Sequence, residues 1–265
     1  MSVVANARRF GADLGWVFRH ELRLSRRDTT IFAVLFVMPF LVLYLVAPAM
    51  RPALILQGHA AATGAEQAMP GMAVLFSNFA MAFLAFAIFR EHTWMTWDRL
   101  MIAPLSRVAV LSGKALLPFV LVVIQQMSLL FAAWLVFGVS AGTGLLAYIL
   151  LTCALAMFTI CAGLALTAWL GSLQQINSVV NIGTFALAGI GGAFGPIELM
   201  PTWIQTISVL SPNYWAISGF KAILIDHAGV AAILPGAVIL VGFAAICFVI
   251  ALAGFAGDRQ KRAWA

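Results

Sequence analysis

The sequence predicts an all-α polytopic membrane protein with six transmembrane helices, an N-terminal interfacial helix, and short outer-leaflet helices between the fifth and sixth spans. Three observations support this: 63% of the 265 residues are hydrophobic, only 9% are charged, and the apolar residues fall into six long runs. The mean hydropathy is +1.04. Soluble domains carry charge on about a quarter of their residues. A water-soluble globule is therefore excluded, and lipid must surround most of this chain.

A helix needs about twenty apolar residues to cross roughly 30 Å of hydrocarbon, and this length selects six candidate spans. They are Ile31 to Met50, Met72 to Phe89, Leu116 to Phe137, Leu145 to Leu170, Ile176 to Phe194, and Ile233 to Phe255. None of the six contains Lys, Arg, Asp or Glu, so no charge has to lie at the centre of the bilayer.

The basic residues predict the orientation of these spans. Thirteen of the fifteen Lys and Arg residues precede the first span, lie between the second and third, or follow the sixth, which leaves Arg51 and Lys221 on the other side. Because basic residues favour cytoplasmic loops, we expect both termini to be cytoplasmic. The apolar run from Ile31 is about twice as long as the core of a secretory signal, and we interpret it as a span.

Residues 5–27 predict an amphipathic helix in the membrane interface. Its apolar residues recur every four positions, as do its basic residues on the opposite side: Phe10, Leu14, Phe18 and Leu22 against Arg19, Arg23 and Arg27. Such a helix places its arginines towards anionic lipid headgroups or a partner protein. The alternative is a solvated basic arm that serves only orientation.

Two connections are too long and too patterned to be simple turns. In residues 90–114 charged residues alternate with tryptophan and leucine, which predicts a short amphipathic cytoplasmic helix broken at Pro104. Residues 195–229 are apolar but contain three prolines, Pro196, Pro201 and Pro212. Since proline interrupts a helix, we expect short extracytoplasmic helices that dip into the outer leaflet.

The sequence lacks the residues that ion-coupled transport, metal binding and nucleotide binding require. All histidines and acidic residues lie outside the spans, which argues against a proton- or sodium-driven carrier. The sequence contains no Cys-x-x-Cys pair that would predict a metal site. The dipeptide Gly113-Lys114 lacks the other residues of a phosphate-binding loop. The basic residues are spread between the spans, so we expect no nucleic acid partner. Any energy source must lie on another chain.

Uncharged polar residues do occur within the spans. They include Ser77 and Asn78 in the second span, Gln125, Gln126 and Ser128 in the third, and Asn177, Asn181 and Thr184 on one face of the fifth. Two interpretations remain open for them. They form hydrogen bonds between helices, or they line a translocation path.

The order of the motifs resembles a known family. The segments are Arg26-Arg27-Asp28, Arg90-Glu91-His92-Thr93-Trp94-Met95-Thr96-Trp97-Asp98-Arg99-Leu100, Pro104-Leu105-Ser106-Arg107, Ser112-Gly113-Lys114, Gly191-Gly192, Pro196-Ile197-Glu198-Leu199-Met200-Pro201-x-Trp203 and Ser211-Pro212-x-x-Trp215. With six spans they resemble the permease subunits of type-2 ATP-binding-cassette exporters, most closely the daunorubicin-resistance-like drug exporters. The resemblance covers nearly the whole chain.

The resemblance implies a single transmembrane permease domain over residues 1–265. Two permease chains, as a homodimer or with a close homologue, would pair with two separate ATPase subunits that bind ATP and Mg. In that family the loop between spans two and three is a coupling helix that contacts the ATPase. The residues carried over as this interface are Glu91, Trp97, Asp98, Arg99, Pro104 and Arg107. A glycine commonly precedes the Thr-Trp-Asp-Arg stretch, where this chain has Met95.

The family also implies a substrate path lined by spans two and five, with Asn78, Asn181 and Thr184 as candidates. We therefore expect a permease in the cytoplasmic membrane of a bacterium that exports a hydrophobic or amphipathic solute such as a drug, lipid or natural product. Polysaccharide or lipid-linked glycan export is an alternative within the same fold, although sugar paths usually have more aromatic and polar lining. A scaffold or assembly factor without transport is the alternative from another class, and a membrane enzyme comes third.

Overall fold

The computed structural model describes residues 3–26, 32–59, 62–96 and 107–256, and every regular element in these ranges is helical. The α-helices are α1 (Val3–Ser25), α2 (Met38–Leu56), α3 (Ala65–Asn78), α4 (Ala80–Thr93), α5 (Arg107–Phe137), α6 (Leu145–Trp169), α7 (Leu173–Ile190), α8 (Thr202–Ser208), α9 (Pro212–Ile225) and α10 (Val230–Ala256). A π-helical turn, Ala33–Val37, leads into α2. The predicted all-α membrane fold is confirmed.

Five helical segments of the described residues are long and apolar enough to cross a membrane. They are Ala33–Leu56, Ala65–Glu91, Ala109–Phe137, Gly142–Trp169 and Val230–Phe255. The predicted fifth span forms α7, which is 18 residues long. It is less apolar than the others because Gln174, Gln175, Asn177 and Asn181 lie along it. The count of six spans stays a prediction.

The second span differs from its predicted bounds. Its helix begins at Ala65 rather than Met72, and it consists of α3 and α4 with a break at Phe79. The Glu66 carboxylate accepts hydrogen bonds from the backbone N–H of Thr63 and Gly64 at 3.1 and 3.0 Å. A carboxylate that satisfies free N–H groups stabilises a helix start, so the helix extends through polar residues that an apolar window excludes.

Helix α3 lies at the centre of the bundle. All its residues except Glu66 are buried, and it packs against α2, α5, α7 and α9. A Cβ atom on Gly71 would lie 2.3 Å from the carbonyl oxygen of Ala193, so only glycine allows the segment after α7 to approach α3 this closely. Helices α6 and α10 form the most extensive helix pair of the described residues.

Residues 195–229 contain short helices, as the prolines predict. Pro201 precedes α8, Pro212 occupies the first turn of α9, and a 3₁₀ turn covers Ile197–Leu199. Proline lacks the N–H that a first helical turn leaves unpaired, which explains why these helices begin where they do.

The connection between the second and third spans is shorter than predicted. Arg90 to Thr93 complete α4, and Arg107 to Lys114 form the first two turns of α5, so the connection comprises residues 94–106. Trp97, Asp98, Arg99 and Pro104, with the predicted helix break, lie outside the described residues. The sequence predicts a separate amphipathic helix over 90–114, whereas the structure buries Glu91 and Lys114, near the two edges of this stretch, within α4 and α5.

Candidate functional site

Helix α1 lies against the beginning of α5. Val17 contacts α5 at Gly113, where an added Cβ atom would lie 2.6 Å from the Cβ and Cγ1 atoms of Val17. Phe18 and Leu22 pack against a small apolar cluster formed by Leu35, Leu117 and Leu121. Residues 10–26 are therefore part of the helical bundle, and the alternative of a solvated basic arm does not fit them.

The buried side of α1 is rotated from the predicted one. Val17, Glu21 and Ser25 form the fully buried ridge, whereas Leu14, Phe18 and Leu22 are half-buried and Phe10 is 38% exposed. The shift has an electrostatic cause, because a partner of opposite charge for Glu21 lies within the bundle. Arg19 and Arg23 are exposed, as predicted for the polar face, and Arg27 lies outside the described residues.

Four charged side chains meet where α1, α4 and α5 come together, and we call them the buried charge cluster: Glu21, Arg90, Glu91 and Lys114. The Lys114 ammonium contacts one carboxylate oxygen of Glu21, and lies 2.9 Å from Oε1 of Glu91 and 3.1 Å from the carbonyl oxygen of Ala87. The other Glu21 oxygen lies 2.7 Å from Nη2 of Arg90. Three of the four side chains are at most 5% exposed, and that of Arg90 is 11% exposed.

The cluster has no net charge. Isolated buried charges cost several kcal/mol each, whereas buried charges that are paired and hydrogen-bonded are tolerated. The three donors of Lys114 all have acceptors, which is the most that an ammonium group requires. Removing one member would leave its partners charged and buried, so the cluster fixes α1, α4 and α5 in one arrangement.

Arg90 also contacts two aromatic rings. Its guanidinium carbon lies 5.9 Å from the centre of the Phe86 ring and 5.4 Å from that of Trp94, within the range of a cation–π contact. Trp94 is 56% exposed. The cluster therefore extends from the buried interior to a tryptophan at the start of the loop 94–106.

The chain leaves α4 through a left-handed residue. Met95 has φ 54°, and the backbone N–H of Thr96 donates to the carbonyl oxygen of Glu91 at 2.9 Å. This six-to-one bond characterises a Schellman helix end, in which glycine is the usual left-handed residue. The position is the one at which the resembled family commonly has glycine. The Thr96 hydroxyl also donates to the Glu91 carboxylate, which joins the helix end to the buried charge cluster.

Of the predicted interface residues, the structure places Glu91 in the buried charge cluster and Arg107 at the first position of α5. Sequence reasoning missed Glu21 and Lys114 as functional candidates. Glu21 is the one acidic residue among the arginines of residues 19–27, and this isolated acid was a signal that could have identified it.

The three predicted path residues do not share one surface of the chain. Asn78 and Thr184 are buried, and Asn181 is exposed on α7. The Asn78 amide donates to Oδ1 of Asn213 on α9 at 3.5 Å. Asn78 Oδ1 and Asn213 Nδ2 have no partner in the part of the chain that the structure describes.

Further neutral hydrogen bonds lie in and beside the α3 half of the second span. Gln67 donates from Nε2 to the carbonyl oxygen of Gly192 at 3.3 Å, and the Ser211 hydroxyl donates to that of Leu187 at 3.2 Å. Together with the Asn78 to Asn213 bond, we call these the neutral polar contacts. They connect α3, α7 and α9 without any ion pair among them.

A partly exposed ion pair lies in the proline-rich segment. The Lys221 ammonium is 3.8 Å from Oε2 of Glu198, which also accepts a hydrogen bond from Gln57 at 3.2 Å. Burial lowers the pKa of Lys221, and Glu198 and Asp226 partly oppose that shift. Among the described residues, no group of three or more His, Cys, Asp or Glu side chains could hold a metal ion.

Comparison with known proteins identifies the family. Residues 13–225 match the ABC-2 type transporter family. The linearmycin resistance permease protein LnrN of Bacillus subtilis (strain 168) is 31% identical over 182 residues, which cover 69% of this chain and 47% of that protein. The chain thus spans about half the length of this curated relative. It belongs to the ABC-2 type transporter family, as a membrane transport subunit rather than an enzyme.

Proposed function

We propose that this chain is the permease subunit of an ATP-binding-cassette exporter that moves a hydrophobic or amphipathic solute out of a bacterial cell. A separate ATPase subunit, in two copies, binds ATP and Mg and supplies the energy. The family membership supports a transporter with an ATPase partner. The name of the Bacillus relative, a linearmycin resistance permease, supports export of an antibiotic-like solute.

The observation that carries the proposal is the buried charge cluster. It joins the end of α4 to the beginning of α5, and these two helices enclose the loop 94–106. A force applied to that loop by a moving partner acts on both helices at once, because Lys114 and Glu91 are ion-paired. Trp97, Asp98, Arg99, Pro104 and Arg107 are the residues proposed to contact the ATPase.

A second permease chain completes the proposed translocation path. Helix α7 exposes four amide side chains, of which Asn177 and Asn181 lie beside Ile182 and Phe185, which are 73% and 51% exposed. Amide groups are costly to place against lipid hydrocarbon, so we assign this face to the contact with the second chain. Asn181 then lies at the path, whereas Asn78 and Thr184 are buried within the chain.

The proposed orientation places both termini in the cytoplasm of a bacterium and residues 195–229 outside. Single cysteines at His59 and at Trp94, in a background lacking Cys153, Cys161 and Cys247, test it with a membrane-impermeant thiol reagent. Both sites are exposed. We expect labelling from opposite sides in intact cells and in inverted vesicles, and labelling from one side would overturn the topology.

Transport coupling is tested by comparing Trp97→Ala with Asp98→Asn. Buried aromatic anchors usually dominate the energy of an interface, whereas charges at its rim contribute less. We expect Trp97→Ala to abolish ATP-driven uptake of a fluorescent amphipathic dye into inverted vesicles and to reduce co-purification of the ATPase. Asp98→Asn should retain part of both.

The matched control is Trp203→Ala, since Trp203 is 63% exposed in the proposed outer segment. It should retain full association with the ATPase. Wild-type uptake by Trp97→Ala would overturn the assignment of the loop. The tagged wild-type chain is also purified from its host, and the sample is assayed for ATP hydrolysis. A sample that hydrolyses no ATP would favour a scaffold and overturn the proposal of an exporter.

A further inference from the structure

The side of α1 that faces away from the bundle is basic. Arg19, His20, Arg23 and Arg26 are exposed and, with Trp16, follow one another at helical spacing along one side of the helix. We call these five residues the outer face of α1. The opposite ridge, which includes Val17 and Glu21, is buried against α5.

Within the described part of α1, no exposed acidic side chain offsets this charge. The acidic residues of the described part of α1 are Asp13, which is half-buried, and Glu21, which is buried and paired with Arg90 and Lys114. The outer face therefore presents three guanidinium groups without a counterion on its own helix. A surface of one charge sign complements a partner of the opposite sign.

The position of α1 puts this face at the level of the lipid headgroups. Its other side is fixed to Arg90, at the end of the second span, and packs against Leu35, in the first turn of the first span, and Leu117, in the third turn of the third. Because these residues lie near the ends of apolar spans, the outer face is held beside the boundary between hydrocarbon and water. The face is not free to rotate, since Glu21 binds two basic residues of the bundle.

An exposed tryptophan at this level supports the same conclusion. Trp16 is 67% exposed, and its ring stacks on that of His20 with 6.2 Å between the centres and 5° between the planes. Tryptophan is enriched at membrane interfaces, where its ring lies among headgroups and its N–H is hydrated.

We propose that the outer face of α1 binds the headgroups of anionic membrane lipids. Arg19, Arg23 and Arg26 contact the phosphates, and Trp16 inserts between the lipids beside them. Guanidinium groups suit this role because they donate two parallel hydrogen bonds to phosphate oxygens. The proposal requires only that the chain spans a membrane, and it does not depend on the direction of transport or on the ATPase.

Quenching of Trp16 fluorescence by brominated lipids tests the proposal. The purified full chain is placed in phosphatidylcholine nanodiscs in which one fifth of the lipid is brominated, either as phosphatidylglycerol or as phosphatidylcholine. The signal of Trp16 is obtained by subtracting that of Trp16→Phe measured under identical conditions. One arginine near a membrane surface strengthens attraction to anionic lipid about fivefold, so we expect the brominated phosphatidylglycerol to quench Trp16 at least about fivefold more effectively.

Charge variants separate lipid binding from a structural effect. In the triple variant Arg19→Gln, Arg23→Gln, Arg26→Gln, both brominated lipids should quench Trp16 equally. In the corresponding triple lysine variant, brominated phosphatidylglycerol should remain the stronger quencher. Arg51→Gln is the matched control, because Arg51 is exposed at the other end of the spans, and it should behave as wild type.

Equal quenching of wild-type Trp16 by the two lipids would overturn the proposal. Loss of ATPase co-purification in the triple glutamine variant, with no lipid preference in the wild type, would assign the face to a protein partner instead. Failure of ATP-driven export with an intact lipid preference would contradict the proposed function alone.

Discussion

The two halves of the second span, α3 and α4, are joined to the rest of the molecule by different chemistry. At one end, the buried charge cluster brings two carboxylates and two basic groups together with no net charge. In and beside α3, which we call the neutral end, the neutral polar contacts are amide and hydroxyl hydrogen bonds of 3.2 to 3.5 Å. Gln67 lies near the start of α3 and Asn78 is its last residue, and two amide atoms of Asn78 and Asn213 lack a partner among the described residues.

The difference teaches which end can rearrange. Breaking a buried ion pair by removing one partner costs about 3–5 kcal/mol. Hydrogen bonds between helices in a membrane contribute about 0.6 kcal/mol on average, because other partners are available when they open. We therefore interpret the charged end as a fixed joint that moves as a unit, and the neutral end as one that opens and recloses at low cost.

The largest effect is expected from Lys114→Met. The substitution leaves Glu21 and Glu91 buried with a single cation between them, and we expect a loss of about 3–5 kcal/mol in the free energy of unfolding. Titration with sodium dodecyl sulfate, followed by circular dichroism, measures this loss. Lys221→Met is the control, since its pair with Glu198 is 3.8 Å long and partly exposed, and it should cost less than about 1 kcal/mol.

The double variant Lys114→Met, Glu91→Gln distinguishes charge from packing. It restores electroneutrality and leaves the pair of Glu21 and Arg90 at 2.7 Å, so we expect at least half of the lost stability to return. A double variant no more stable than Lys114→Met would mean that the lysine acts through packing. The contrast between the two ends would then fail.

The second effect concerns the close contact between Gly113 of α5 and Val17 of α1, which supports the buried charge cluster. Gly113→Ala places a Cβ atom 2.6 Å from Val17, so α1 has to shift, and we expect a loss of about 1–3 kcal/mol. Gly15→Ala is the control on α1 itself, because nothing lies within 4 Å of its added Cβ atom. Thermal unfolding in nanodiscs should show a lower midpoint for Gly113→Ala alone. Equal midpoints would mean that α1 is not held where Glu21 requires it.

Hydropathy predicted the membrane-spanning fold well, but it did not predict the buried charge cluster. The spans follow from apolar runs alone, whereas the start of α3 was missed because Glu66 and Gln67 are polar. The pairing of Lys114 with Glu21 joins residues 93 positions apart, and no local pattern reveals a contact over that distance. A charged residue beside an apolar run looks solvated in sequence, and only its partner shows that it is buried.

The neutral polar contacts should respond weakly to substitution. Asn78→Ala and Asn213→Ala remove a bond of 3.5 Å, and a double-mutant cycle in the unfolding titration should give a coupling energy below about 1 kcal/mol. Asn177→Ala, on the exposed face of α7, is the control that should show no coupling with Asn213→Ala. A coupling as large as that between Lys114 and Glu91 would remove the distinction between the two ends.

The smallest effect concerns two left-handed residues, Met95 beside the charged end and His227 between α9 and α10. Met95 and His227 have φ 54° and 53°, which costs an ordinary residue about 1–2 kcal/mol. Glycine adopts this conformation without that cost but loses more entropy on folding, so we expect Met95→Gly and His227→Gly each to raise stability by up to about 1 kcal/mol. Thermal midpoints of the two variants check this, and a decrease for Met95→Gly would mean that its side chain is needed at the helix end.

Helix α1 carries an acid buried on one side and arginines exposed on the other, so dissolved salt reaches only one of them. The Debye length is about 8 Å at physiological ionic strength, which weakens the attraction between exposed arginines and any anionic surface. The Glu21 pairs exclude water and are screened far less. Raising the ionic strength should therefore weaken the attraction between the exposed arginines of α1 and an anionic surface, while α1 stays attached to α4 and α5. One helix then responds to the electrolyte without loosening the joint that it helps to form.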